Sequence, residues 1–224
     1  MGGALIDQEV PQAQRPRLRG TLHAAAFPVA AAAGGLLVAL APTRPAKASA
    51  AVYAVTSVLL FGVSAAYHRV HCSARIRGIL HRCDHANIYL IIAGTYTPFA
   101  VLALHGDVRA AVLVAIWGGA AAGVAFRVAW LGAPRWLYTA LYIGLGWVAL
   151  FVPLQLLRGA GVAAVVLVVT GGLLYSAGGV VYGLRRPDPF PRWFGFHEVF
   201  HAFTVAAYVA QYVAVSLVVY RTAG

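Results

Sequence analysis

Residues 196–219 read FHEVFHAFTVAAYVAQYVAVSLVV. Beyond its first positions the stretch is almost wholly apolar and about twenty residues long, which is what an α-helix needs to cross a bilayer. It nevertheless opens with His197, Glu198 and His201. An ionisable group at hydrocarbon depth costs about 3 kcal/mol unless it is paired, metal-bound or wetted. The stretch therefore predicts a membrane span and, at the start of that span, a site that compensates two imidazoles and a carboxylate.

The rest of the chain reads the same way. Of its 224 residues 61% are hydrophobic and only 10% charged, and the mean hydropathy of +0.78 lies outside the range of soluble domains. Apolar stretches recur at about 21–41, 48–68, 86–104, 109–131, 137–157, 161–182 and 198–219, each near the length of a spanning helix. A β-barrel would show short alternating segments instead. The expected fold is therefore all-α, a polytopic bundle of seven transmembrane helices (21–224) behind a polar cytoplasmic tail (1–20). That tail has no apolar core with a cleavage site, so a removable signal peptide is not expected.

The net charge of +11 does not point to nucleic acid, because the basic residues lie between apolar spans rather than along one stripe. They set orientation. With seven spans, twelve of the seventeen Lys and Arg residues fall on the side of the N-terminus and five on the other. The positive-inside rule then places the N-terminus in the cytoplasm and the C-terminus outside. Cys72 and Cys83 fall in the connection expected at 69–85, which mixes Arg with Ile and Leu and is suited to the headgroup region. They lack a recognised metal-ligand spacing with His71, His81 and His85. Glycines recur in the fourth to sixth spans and suit close helix packing. Pro28, Pro98 and Pro153 are expected to kink their helices.

Most ionisable groups at the span ends gather on one side. His68 ends the second span, Asp84 begins the third, and His197, Glu198 and His201 begin the seventh. His197 and His201 are four residues apart and share a helical face, as do Ser64 and His68. Three imidazoles from two helices, with a carboxylate on a third, match a catalytic zinc site: three protein ligands and one open position. Zinc lowers the pKa of bound water from about sixteen to about seven. Asp84 is placed to take the proton or orient that water, and Ser64 to hold a developing oxyanion. His71, His81, His85 and His105, and with them His23 at the start of the first span, read as interfacial histidines. The segment 197–201 also satisfies His-Glu-x-x-His, in which the Glu is the general base of a zinc protease. An intramembrane protease needs a further ligand on a later or neighbouring helix, and no span follows this one. Glu198 is accordingly expected to face the interface.

The motifs Ser64-Ala65-Ala66-Tyr67-His68, Asp84-His85-Ala86-Asn87-Ile88-Tyr89-Leu90, Ala93-Gly94-Thr95-Tyr96-Thr97-Pro98-Phe99 and Phe194-Gly195-Phe196-His197-Glu198-Val199-Phe200-His201, in this order, resemble the haemolysin III family. That family is the bacterial branch of the progesterone and adipoQ receptor group, which is similar to alkaline ceramidases. The resemblance implies a multi-pass protein of the bacterial inner membrane with a zinc ion near its cytoplasmic face, held by His68, His197 and His201. It also implies that Asp84 contacts the metal through water and that Ser64 lies close by. Hydrolysis of a lipid amide with release of a fatty acid suits such a site. A membrane-state sensor with structural zinc and a cytolytic pore are the competing readings. A pore needs a polar lining along the membrane axis, whereas these polar groups cluster at one end.

Overall fold

The computed structural model describes residues 16–130 and 132–221, and every regular element among them is helical. In chain order these are α1 (Thr21–Leu40), α2 (Arg44–Arg69), α3 (Ala74–Ala103), α4 (Gly106–Ala129), α5 (Arg135–Gly146), a 3₁₀ turn (Val148–Phe151), α6 (Pro153–Ala160), α7 (Val162–Leu184) and α8 (Phe196–Arg221). Six of them, α1 to α4, α7 and α8, are long and apolar enough to cross a membrane. The protein is an all-α, multi-pass membrane protein. Most of the tail expected at 1–20 lies outside the described residues.

The fifth expected span, 137–157, is not one helix, and its sequence explains why. Gly144 and Gly146 weaken the end of α5, since a helical glycine costs about 1 kcal/mol relative to alanine. Pro153 has no N–H to continue a helix and disfavours helical geometry at the preceding residue. It therefore opens α6 instead of kinking a longer helix. A broken helix inside a membrane needs other partners for its freed backbone groups. Tyr96 of α3 supplies them: its hydroxyl donates to the Gly146 carbonyl at 2.6 Å and accepts from the Ala149 N–H at 2.8 Å.

The third helix is longer than expected. Ser73 caps it, accepting from the Ile76 N–H at 3.4 Å, so the connection expected at 69–85 shrinks to residues 70–73. Cys72 stays in that connection, and Cys83 is exposed on α3. Pro28 and Pro98 lie inside α1 and α3.

Sequential helices pack as neighbours, and α1 also packs on α8, which closes the bundle. These two run parallel. His23 stacks on His201 near their starts, and farther along Tyr212 donates to the Ala33 carbonyl at 3.0 Å. The broken segment follows α3 in the same direction: Tyr138 pairs with Tyr89, Gly146 with Tyr96, and Gly159 lies against Ala103. Tyr53, Phe61 and Leu37 form the fully buried centre between α1, α2 and α8.

Candidate metal centre

The local chemistry at the start of α8 sets the site. A helix start leaves backbone N–H groups without partners and attracts carboxylates. Here Asp188 accepts from the Phe196 N–H at 2.8 Å, and Glu198 accepts from the Gly195 N–H at 2.9 Å. With its first turn fixed in this way, α8 presents His197 and His201 one turn apart toward the end of α2, where His68 stands.

The three rings converge. Their candidate ligand nitrogens all lie within 4.8 Å of one another, and the Nε2 atoms of His68 and His197 are 3.2 Å apart. Two tetrahedral ligands at about 2.1 Å from zinc stand about 3.4 Å apart, so this spacing fits the metal. Among the described residues this is the only such group, and Cys72 and Cys83 take no part in it. Asp84 Oδ2 lies 3.8 Å from His68 Nε2, close to the cluster but beyond a direct hydrogen bond.

Ser64 differs from its neighbours on α2. Thr56 and Ser57 return their hydroxyls to backbone carbonyls one turn back, at 3.0 and 2.8 Å, the usual outcome for a hydroxyl in a helix. The Ser64 hydroxyl is buried and has no hydrogen-bond partner among the described residues. Buried polar atoms are rarely left so without a reason. Ser64, Asp84, His197 and His201 all border one cavity, which continues along α3 past Ile88, Ile91 and Phe99 to Leu104. From residue 84 to 104 an α-helix rises about 30 Å. The polar groups thus sit at the head of a long, mostly apolar chamber.

Two expectations are corrected here. Glu198 does not face the interface: it is 1% exposed, and its Oε1 lies 2.7 Å from Arg19 Nε. His23 is not interfacial either. It is 2% exposed, its ring lies on that of His201 with centroids 3.7 Å apart and planes within 9°, and it borders the cavity. His23 is the only ionisable residue within α1, at the same end of the bundle as the triad, and that was the clue in the sequence. His85 is satisfied within the protein, with Nδ1 3.0 Å from the His81 carbonyl oxygen and Nε2 3.3 Å from the Tyr182 hydroxyl.

The chain before α1 folds over this end. The Arg17 and Leu18 N–H groups donate to the carbonyls of Arg192 and Trp193, each at 3.1 Å, and the Arg17 guanidinium covers the Trp193 ring. Gly20 is required at the junction. It adopts φ of 74°, and a Cβ there would lie 2.5 Å from His68 Cβ.

Comparison with known proteins agrees with the motifs. The chain is 32% identical over 184 residues to Hemolysin-3 of Bacillus cereus, covering 81% of this chain and 80% of that one. It is 30% identical over 164 residues to the Hemolysin-3 homolog of Bacillus subtilis (strain 168), covering 73% and 74%. A more distant similarity, 26% over 180 residues, reaches the human monocyte to macrophage differentiation factor, covering 79% of this chain and 72% of that protein. The family model described as haemolysin-III related matches residues 11–212, and the chain belongs to that family.

Proposed function

We propose that the protein is a zinc-dependent hydrolase of a lipid amide, crossing the bacterial inner membrane seven times with its N-terminus in the cytoplasm. One observation carries the reading: three convergent imidazoles, a hydroxyl and a carboxylate stand at the head of an apolar chamber about as long as a bilayer's hydrocarbon is thick. The seventh crossing is the broken segment, which keeps pace with α3 from Tyr89 to Ala103.

His68, His197 and His201 would hold the metal. Zinc in such a site polarises a carbonyl and makes hydroxide available near neutral pH. The chamber along α3 receives the acyl chain and brings its carbonyl to the polar end, where the surrounding helices limit bulk water. Asp84 takes a proton from the attacking water and returns it to the leaving nitrogen. The Ser64 hydroxyl donates to the carbonyl oxygen as negative charge develops on it. A carbon–oxygen bond forms, the carbon–nitrogen bond breaks, and a fatty acid and an amine leave. A purely structural zinc would not account for the placement of Ser64 and Asp84. A pore, which the lytic name of the Bacillus cereus relative would suggest, fits less well here, because the chamber is mostly apolar along its length.

Protein purified without chelators is expected to carry about one zinc per chain by elemental analysis. It should also release fatty acid from at least one member of a broad panel of lipid amides and esters. A zinc content near zero, or one unchanged in a His68→Ala plus His201→Ala variant, removes the metal centre. Zinc without turnover on any member of the panel removes the hydrolase.

A further inference from the structure

Metal-binding histidines are normally held by their second ring nitrogen, which donates to a carboxylate, a backbone carbonyl or water and so fixes the ring. With Nε2 as the ligand atom His201 lacks this, because its Nδ1 is buried and has no hydrogen-bond partner among the described residues. What it has instead is a ring on its face. His23, from α1, lies flat against it, and His23 in turn meets Phe61 of α2 in a T-shaped contact, with centroids 5.1 Å apart and planes at 80°. Phe61 is itself fully buried, so the His23 ring cannot swing away without opening the core.

We propose that His23 is a positioning residue of the metal centre, and that its ring face replaces the missing hydrogen bond in fixing the orientation of His201. A parallel ring at this distance blocks rotation of the imidazole about its Cβ–Cγ bond, the motion that would carry a ligand nitrogen away from the other two. The same geometry keeps His23 out of the ligand set. Imidazole lone pairs lie in the ring plane, and the two rings are stacked 3.7 Å apart, so the nitrogens of His23 are not aimed at a group that His201 would hold in its own plane. Neither nitrogen of His23 has a hydrogen-bond partner among the described residues. The contribution of this side chain to the site is its face, and an apolar ring should supply it equally well.

This inference rests on the triad holding zinc, and the experiment separates the two. Zinc affinity is measured by chelator competition on wild type and on His23→Ala, His23→Asn and His23→Phe, and the thermal midpoint of each metal-free protein is recorded beside it. Loss of a group that orients a ligand typically weakens metal binding 10- to 100-fold. His23→Ala and His23→Asn, which lack the ring, are expected to show that loss. His23→Phe should stay within about threefold of wild type by the same measure, with a metal-free midpoint no lower than wild type, since it removes two unsatisfied buried nitrogens. A merely structural residue would shift the metal-free midpoint without changing zinc affinity in this order. Unchanged affinity in His23→Ala overturns the proposal even if the phenylalanine variant fails to fold. Loss in His23→Phe with retention in His23→Asn overturns it too, because a nitrogen would then be the working group. A wild type that binds no zinc ends both this inference and the metal reading.

Discussion

At the scale of single residues, Glu198 decides between two hydrolases. In a His-Glu-x-x-His protease it would be the general base and would need to turn toward the metal. Here both carboxylate oxygens are engaged elsewhere, one by Arg19 and the other by the Gly195 N–H at the start of α8. Its role is to anchor the helix that carries the two histidines. Glu198→Gln, which keeps an acceptor for the Gly195 N–H, is therefore expected to retain zinc and most of the hydrolysis. Glu198→Ala breaks a buried pair and should destabilise the fold by about 3 kcal/mol, the low end for such a loss because Arg19 is partly exposed. Asp84→Asn and Ser64→Ala should leave zinc and stability nearly intact and lower turnover at least 100-fold. Zinc content, unfolding in detergent and fatty-acid release measure all four variants. Activity kept in Asp84→Asn and lost in Glu198→Gln would restore the protease. The grouping of His68, His197 and His201 was legible because helical spacing and chain position placed the three histidines at one end of the bundle. The partner of Glu198 was not, because Arg19 comes from the opposite end of the chain and meets it only through folding.

At the scale of elements, periodicity and length marked the six long helices, whose backbones satisfy themselves and need only apolar side chains. The interrupted segment was harder to read, since its composition is that of a span and its break depends on a partner. Glycines and a proline weaken the helix locally, but Tyr96 makes the break tolerable by bridging Gly146 and Ala149. Tyr96→Phe leaves a carbonyl and an N–H without that partner at membrane depth. It should destabilise the protein by about 2 kcal/mol, read by denaturant unfolding in micelles. A loss below a few tenths of a kcal/mol would mean that the segment satisfies itself in another way. The glycines divide similarly. Gly178 lies against Phe200 and Phe203, as helix packing requires, whereas Gly118 has open space around it. Composition could not tell the two apart, because the difference lies in what the neighbouring helix brings.

For the whole molecule, the number of crossings, and with it the side on which the site lies, depends on the interrupted segment. With seven crossings, α1 and α8 run in the same direction and the described chain begins and ends at opposite ends of the bundle, as the pairings of His23 with His201 and Tyr212 with Ala33 require. The end that holds the triad also holds the exposed arginines Arg69, Arg75, Arg185, Arg186 and Arg192. By the positive-inside rule that end is expected to face the cytoplasm. Topology reporters fused to the two termini should therefore report opposite sides, with the N-terminal one inside. A membrane-impermeant maleimide should leave exposed Cys83 unlabelled in intact cells and label it once the membrane is permeabilised. Reporters on the same side would mean that the interrupted segment enters and leaves by one face, leaving six crossings. Opposite sides with Cys83 labelled from outside would invert the molecule, place the metal centre at the outer surface, and require its lipid substrate to come from the outer leaflet.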